Sequence, residues 1–146
     1  MTAWLGRSAL ALWELPQNAL GLVLLALLLL RRRIAAIRFA RERVMIEITS
    51  DGAVSLGVFV FWTPRDNLYV PVGPENEAHE YGHSVQSRWL GPLYLPVVGL
   101  PSSMRVLYAM GHRWLTGRRW SGYYDGFPER WADQLGGVDR SLRPPP

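Results

Sequence analysis

Hydrophobic positions follow three different rhythms along the chain. From Ala19 to Leu30 they are continuous, twelve residues without a polar side chain. Extended back to Leu10, the stretch reaches 21 residues. As a helix it is about 30 Å long, the apolar thickness of a bilayer. Glu14, Pro16, Gln17 and Asn18 interrupt its N-terminal half. A kinked or partly re-entrant membrane helix is therefore expected, its polar groups facing protein or water. The helical reading covers residues 10–42. Residues 1–9 read as loose or interfacial, with Trp4 suited to a headgroup position.

From Val44 the period shortens to two. Val44, Ile46 and Ile48 alternate with Met45, Glu47 and Thr49, and Ser50-Asp51-Gly52 signals a turn. Val54–Trp62 is rich in β-branched and aromatic residues, with Gly57 interrupting. The two runs predict a β-hairpin. Leu68–Val72 reads as a short third strand, confined to an edge by Pro71. A helix is expected to start near Pro74 or Glu75, with Glu75 and Glu77 at its positive end, and to stop at Gly91-Pro92. Residues 89–110 form a second apolar region, in which three prolines and two glycines oppose a straight spanning helix. An interfacial or re-entrant loop is expected there, followed by a helix capped at Ser102 or Ser103 and running to about Trp114. Pro128 suits the first turn of a last helix, which Gly136-Gly137 ends. Residues 138–146 read as a tail.

Charge sharpens the membrane reading. Six arginines, Arg31, Arg32, Arg33, Arg38, Arg41 and Arg43, follow the apolar run directly, whereas Arg7 alone precedes it. A basic cluster can mark a nucleic-acid site, but this one abuts a lipid-length helix, so anionic headgroups are the expected partner and nucleic acid is not. The asymmetry would place everything after the helix on the cytoplasmic side, of a bacterial inner membrane on this reading. A secretory signal fits poorly, because its charges would precede the apolar run. All 16 basic residues are arginine, which reads as genome composition and not as chemistry. The chain has no cysteine, which excludes disulfides and thiolate metal sites.

The chemistry sits in two short strings. His79-Glu80-Tyr81-Gly82-His83 has the form HExxH. On a helix, residues four apart share a face, so the two imidazoles can grip one metal ion, and Glu80 can reach a metal-activated water as general base. Glu129-Arg130-Trp131-Ala132-Asp133 places two more carboxylates four apart. Glu129 can supply a third ligand. Asp133, one turn on, can accept the free N–H of a ligating histidine. The alternative is an amphipathic helix with two solvated acids.

HExxH followed by Glu-x-x-Ala-Asp resembles the gluzincin metallopeptidases, in particular the membrane-embedded branch of CAAX prenyl-protein proteases and HtpX-type proteases. The longer string from His79 to Ser102, with the distal WADQLGG, also resembles small uncharacterised bacterial membrane proteins. The resemblance implies Zn²⁺ held by His79, His83 and Glu129, Glu80 as catalytic base, Asp133 as partner of a ligating histidine, and a peptide bond as substrate. It also implies a substrate-binding strand beside the HExxH helix, within Val54–Trp62. It covers the two motifs only.

The expectation is therefore an α+β chain. A membrane anchor with a basic juxtamembrane segment occupies residues 1–42. A zincin-like metal domain occupies 43–137, built from a β-hairpin or small antiparallel sheet and from an HExxH helix packed on a short ExxxD helix. Its function would be membrane-anchored, zinc-dependent peptide hydrolysis. The alternative is a small membrane protein with a structural zinc site that binds another protein. The spacing does not select an oxyanion donor among His112, Arg119, Tyr123 and Tyr124, and the oligomeric state is not legible.

Overall fold

A computed structural model describes residues 11–141; the expectations for residues 1–9 and for the end of the tail lie outside them. The chain is α+β, with a four-stranded mixed sheet and helices on either side of it in sequence. Helix α1 is Leu15–Leu30, and the strands are β1 (Ile34–Ala40), β2 (Arg43–Ile48), β3 (Val54–Leu56) and β4 (Phe59–Trp62). The helices α2 (Asn76–Leu90), α3 (Leu100–Thr116) and α4 (Glu129–Gly136) follow. The sheet order is β1-β2-β4-β3.

The helix read over residues 10–42 stops at Leu30, and its basic end is a strand instead. Arg32 adopts φ 52°, which breaks the helix. Arg41 (φ 51°) and Glu42 (φ 60°) are both left-handed and close a two-residue turn between β1 and β2. That turn matches the twist of paired strands, but arginine and glutamate do not advertise it. Among the described residues no helix is long and apolar enough to cross a membrane. At 16 residues, α1 is shorter than the 21-residue stretch read from the sequence.

The polar residues that seemed to spoil α1 are what dock it. Glu14, Gln17, Asn18 and Gly21 are buried and recur at helical spacing. Glu14 accepts from Ser87 Oγ (2.7 Å) and from Arg43 Nη1 (3.3 Å). Gln17 Nε2 donates to the Gly91 carbonyl, and Asn18 Oδ1 accepts from Val58 N, both at 2.8 Å. Arg43 is therefore no headgroup ligand: it is 2% exposed and also donates to Ser84 Oγ and Ser84 O. Arg38 pairs with Glu77, and Arg41 lies over the Tyr81 ring. Arg43→Met would strand the Glu14 carboxylate in a dry interior. The expected cost is about 3–5 kcal/mol, read as a lower denaturant midpoint.

The hairpin predicted from Val44–Ile48 and Val54–Trp62 is also differently built. β2 and β4 run parallel, and the reversal lies inside the second run, between β3 and β4. Gly57, at φ 64°, makes that reversal possible, and a Cβ there would lie 2.0 Å from Asn18 Oδ1. Leu68–Val72 is not a strand. Asn67 Oδ1 takes the amides of Tyr69 and Val70, and Pro71 has no amide to offer a ladder. One core lies between α1 and the sheet, centred on Ile46, Ile48, Phe59 and Phe61; a second gathers Val70, Ala109, Tyr123 and Tyr124.

The proline-rich region stays helical by changing its winding. A 3-10 turn (Gly91–Leu93) and a π-helical turn (Leu95–Gly99) lead into α3, and a proline stands in the first turn of each piece. No side chain caps α3; Ser103 Oγ donates back to Gly99 O. Pro128 stands at the N-cap position of α4, one residue before the first turn expected for it, with no side-chain cap bond, and Gly137 ends the helix in a left-handed conformation.

Candidate metal centre

Two helices that approach unusually closely build the site. A Cβ on Gly82 would lie 1.9 Å from the Ala132 carbonyl oxygen, and one on Gly136 would lie 2.1 Å from the Ala78 carbonyl oxygen. The crossing of α2 and α4 is thus backbone against backbone, with glycine on each side. It brings Glu129, far along the chain, onto the face that carries His79 and His83.

The three side chains meet at one point. Glu129 Oε2 lies 3.0 Å from His79 Nε2 and 3.2 Å from His83 Nε2. All three residues are buried, and their ligating atoms lie within 4.8 Å of one another. Edges of a tetrahedron with bonds of about 2.0–2.1 Å are about 3.3–3.4 Å long, close to the two separations from Glu129 to the rings.

The outer ring nitrogens show which atoms carry protons. Gln86 Nε2 donates to Pro128 O at 3.1 Å, which fixes the amide orientation. Gln86 Oε1 therefore accepts, and His83 Nδ1–H donates to it at 2.7 Å. Asp133 Oδ1, held by Arg140 Nη2 at 2.8 Å, likewise accepts from His79 Nδ1–H at 2.7 Å. With each Nδ1–H donating outward, a ring that carries no second proton aims an Nε2 lone pair at a carboxylate that also only accepts. Three acceptors facing one another need a cation between them, either protons or a metal. Glu129 Oε1 is moreover buried without a hydrogen-bond partner among the described residues, as befits a carboxylate shaped for an ion. The donor set of two imidazoles and a carboxylate is one that zinc takes.

Electrostatics agree with the geometry. Burial would lower His79, but its hydrogen bonds to Asp133 and Glu129 outweigh this and raise its pKa from 6.5 to about 9. Burial would raise Glu129, yet its bonds to His79 and His83 hold it far below the usual carboxylate range. Asp133 is likewise lowered, against its burial, by His79 and Arg140. The raised His79 value has a sign. In the metal-free fold its protonation adds stability that is full below pH 6.5 and lost as pH rises through about 9. The melting temperature of chelator-treated protein should fall across that window. Metal binding near pH 7.5 should expel a proton, seen as a calorimetric heat that varies with the buffer's ionisation enthalpy.

Glu80 sits beside the cluster at the wall of a cavity of about 250 Å³, which His83, Glu129, Leu56, Tyr94 and Tyr123 also line. A second cavity, about 150 Å³, reaches His79 and shares Ala53, Glu80, Val106 and Tyr123 with the first. Burial pushes the Glu80 carboxyl up, against the opposing pull of His83 and His79. Ser55 Oγ donates to the Glu80 carbonyl oxygen and lies 3.1 Å from its Oε2, which ties the acid to strand β3.

Of the four donors left open by spacing, only Tyr123 lines both cavities. Tyr124 packs its ring edge to face with His79, centroids 5.1 Å apart. His112 is engaged at the end of α3 with Arg118 O, and Arg119 pairs with Asp66. Four residues near the site were not singled out in the sequence. Gln86 had a signal, since it lies three positions after His83 on the same helix. Ser55, Tyr94 and Arg140 had none. Arg140, read as tail, holds Asp133 and covers the Tyr124 ring. No family model, no curated protein and no solved structure matches the chain, and the likeness to the gluzincin peptidases stands on the residues of its two motifs.

Proposed function

We propose that the chain is a zinc-dependent peptide hydrolase with a minimal zincin-like core. The observation that carries this reading is the convergence of His79 Nε2, His83 Nε2 and Glu129 Oε2 on one buried point that a cation must occupy. His79, His83 and Glu129 would hold the ion, with Asp133 and Gln86 fixing the tautomers of the two rings. When bound, zinc supplies the Lewis acidity that activates water and polarises a carbonyl.

The remaining work falls to side chains already in place. Glu80, its carboxyl raised by burial, takes a proton from the attacking water and returns it to the leaving amine. Tyr123, which lines both cavities and whose phenol burial keeps protonated at neutral pH, would donate to the charge that develops on the carbonyl oxygen. β3 is an edge strand whose residues Val54, Ser55 and Leu56 line the larger cavity. An extended peptide can pair with such an edge, and alternate side chains then enter the cavity.

Purified protein is expected to retain zinc in equimolar amount and to cleave members of a quenched fluorescent peptide library. Chelation should abolish cleavage and added zinc should restore it. A chain that holds no zinc, or whose cleavage ignores the chelator, would overturn the proposal.

A further inference from the structure

The outward side of α1 is apolar, and the helix packs on the protein by its other face alone. Glu14, Gln17, Asn18, Gly21, Leu24, Leu25 and Leu28 face inward or are partly covered. Leu15, Leu22, Val23, Leu27 and Leu30, on the opposite side, are all exposed, Leu30 to 81%. A surface helix of a water-soluble domain carries polar residues there.

α3 repeats the arrangement. Ser102, Ser103 and Val106 line the cavity beside the metal centre. Leu100, Met104, Leu107, Trp114 and Leu115 fall on the other face at helical spacing, and all are exposed. The two faces are linked. Trp13 and Gln17 bond to Arg88 O and Gly91 O, at the start of the winding segment that leads to α3. Leu93 and Val97, within that segment, are exposed as well. Among the described residues nothing covers these exposed side chains, which recur at helical spacing and are not scattered singly.

Charge and composition identify the occupant. Each face ends in exposed arginine: Arg31, Arg32 and Arg33 follow α1, and Arg118 follows α3. The outer side of α1 between residues 19 and 30 is leucine, valine and alanine only, with no polar atom to fix the register of a protein partner. Protein interfaces mix aromatic, arginine and hydrogen-bonding groups in the same patch, a mixture the outer side of α1 lacks; on α3, Trp114, near Arg118, suits the headgroup level instead. A fluid apolar layer bordered by anionic headgroups needs no register.

We infer that the outer faces of α1 and α3 are immersed together in the apolar layer of an anionic lipid bilayer. The protein then lies in the membrane by its helix faces, and the cavity walled by the inner side of α3 stands next to the lipid. This contact is independent of whether the metal centre hydrolyses peptides.

Flotation of the full chain with vesicles tests it, using phosphatidylcholine alone and an equal mixture of phosphatidylcholine and phosphatidylglycerol. Wild-type protein should float with both, more completely with the mixture. Leu22→Glu with Leu27→Glu, or Leu107→Glu with Leu115→Glu, should each lower the bound fraction by roughly tenfold or more. Charge reversal of Arg31, Arg32 and Arg33 should cost roughly a hundredfold on the mixture and little on phosphatidylcholine. Bromine-labelled acyl chains should quench the wild-type tryptophan fluorescence, a readout that needs no variant.

Failure of wild-type protein to float or to be quenched would overturn the inference. So would apolar-face variants that float like wild type. A detergent-free dimer that Leu22→Glu with Leu27→Glu converts to monomer, with flotation unchanged, would assign the surface to a second copy instead.

Discussion

Glu80→Gln is expected to keep zinc at wild-type stoichiometry and to cut peptide hydrolysis by about 10²–10⁴-fold. Glutamine preserves the shape of the side chain and its contact with Ser55 Oγ, so the cavity wall should stay in place. It cannot take up a proton. Glu80 lies outside the cluster of His79, His83 and Glu129, so metal content should not follow activity down. This separation distinguishes a hydrolase from a structural zinc protein. If the variant retains both zinc and wild-type behaviour in every assay, the hydrolase reading ends and the protein-binding alternative stands. Metal analysis and peptide turnover on one preparation suffice to decide.

Gly82→Val should dismantle the metal centre without touching any of its ligands. The added Cβ would lie 1.9 Å from Ala132 O and 2.7 Å from Ala132 C. Both are backbone atoms, which cannot rotate aside as a side chain can. α4 would have to move away, carrying Glu129 and Asp133 off the histidines. The expected loss is at least about 3 kcal/mol of stability, together with loss of zinc. Gly111→Ala provides the control, because nothing lies within 4 Å of a Cβ there. In the interior of α3 that change should stabilise by up to about 1 kcal/mol. Denaturant midpoints and zinc content of the two variants would show whether the close crossing matters or any glycine replacement does.

Much of the site was legible because its information is local. The four-residue spacings of His79 with His83, and of Glu129 with Asp133, are properties of a helix and need no tertiary knowledge. The ends of α2 and α4 were legible for the same reason: Gly91-Pro92 and Gly136-Gly137 act on the backbone where they stand. The long apolar run misled because continuous hydrophobicity carries no phase. Leucine on the buried side of α1 looks the same as leucine on the exposed side. The phase lay in the interruptions, since Glu14, Gln17, Asn18 and Gly21 form one helical stripe, and that stripe is the docking face. Val54–Trp62 misled in another way. Its β propensity is uniform, but Gly57 reverses the chain, and whether a glycine interrupts or reverses depends on what receives it. Here Asn18, from another element, captures the Val58 amide.

The residue spacings alone therefore determined which groups could share a metal, because helical periodicity is a short-range geometric rule. Whether they meet was a tertiary matter. The backbone-to-backbone crossing at Gly82 and Gly136 sets the position of Glu129. The amide of Gln86 and the guanidinium of Arg140 set the tautomers of the two rings. The burial of Arg43 against Glu14 turns the last arginine of a basic run into part of a core. None of these contacts is local, and each pairs residues whose identities constrain one another only once the chain has closed over them.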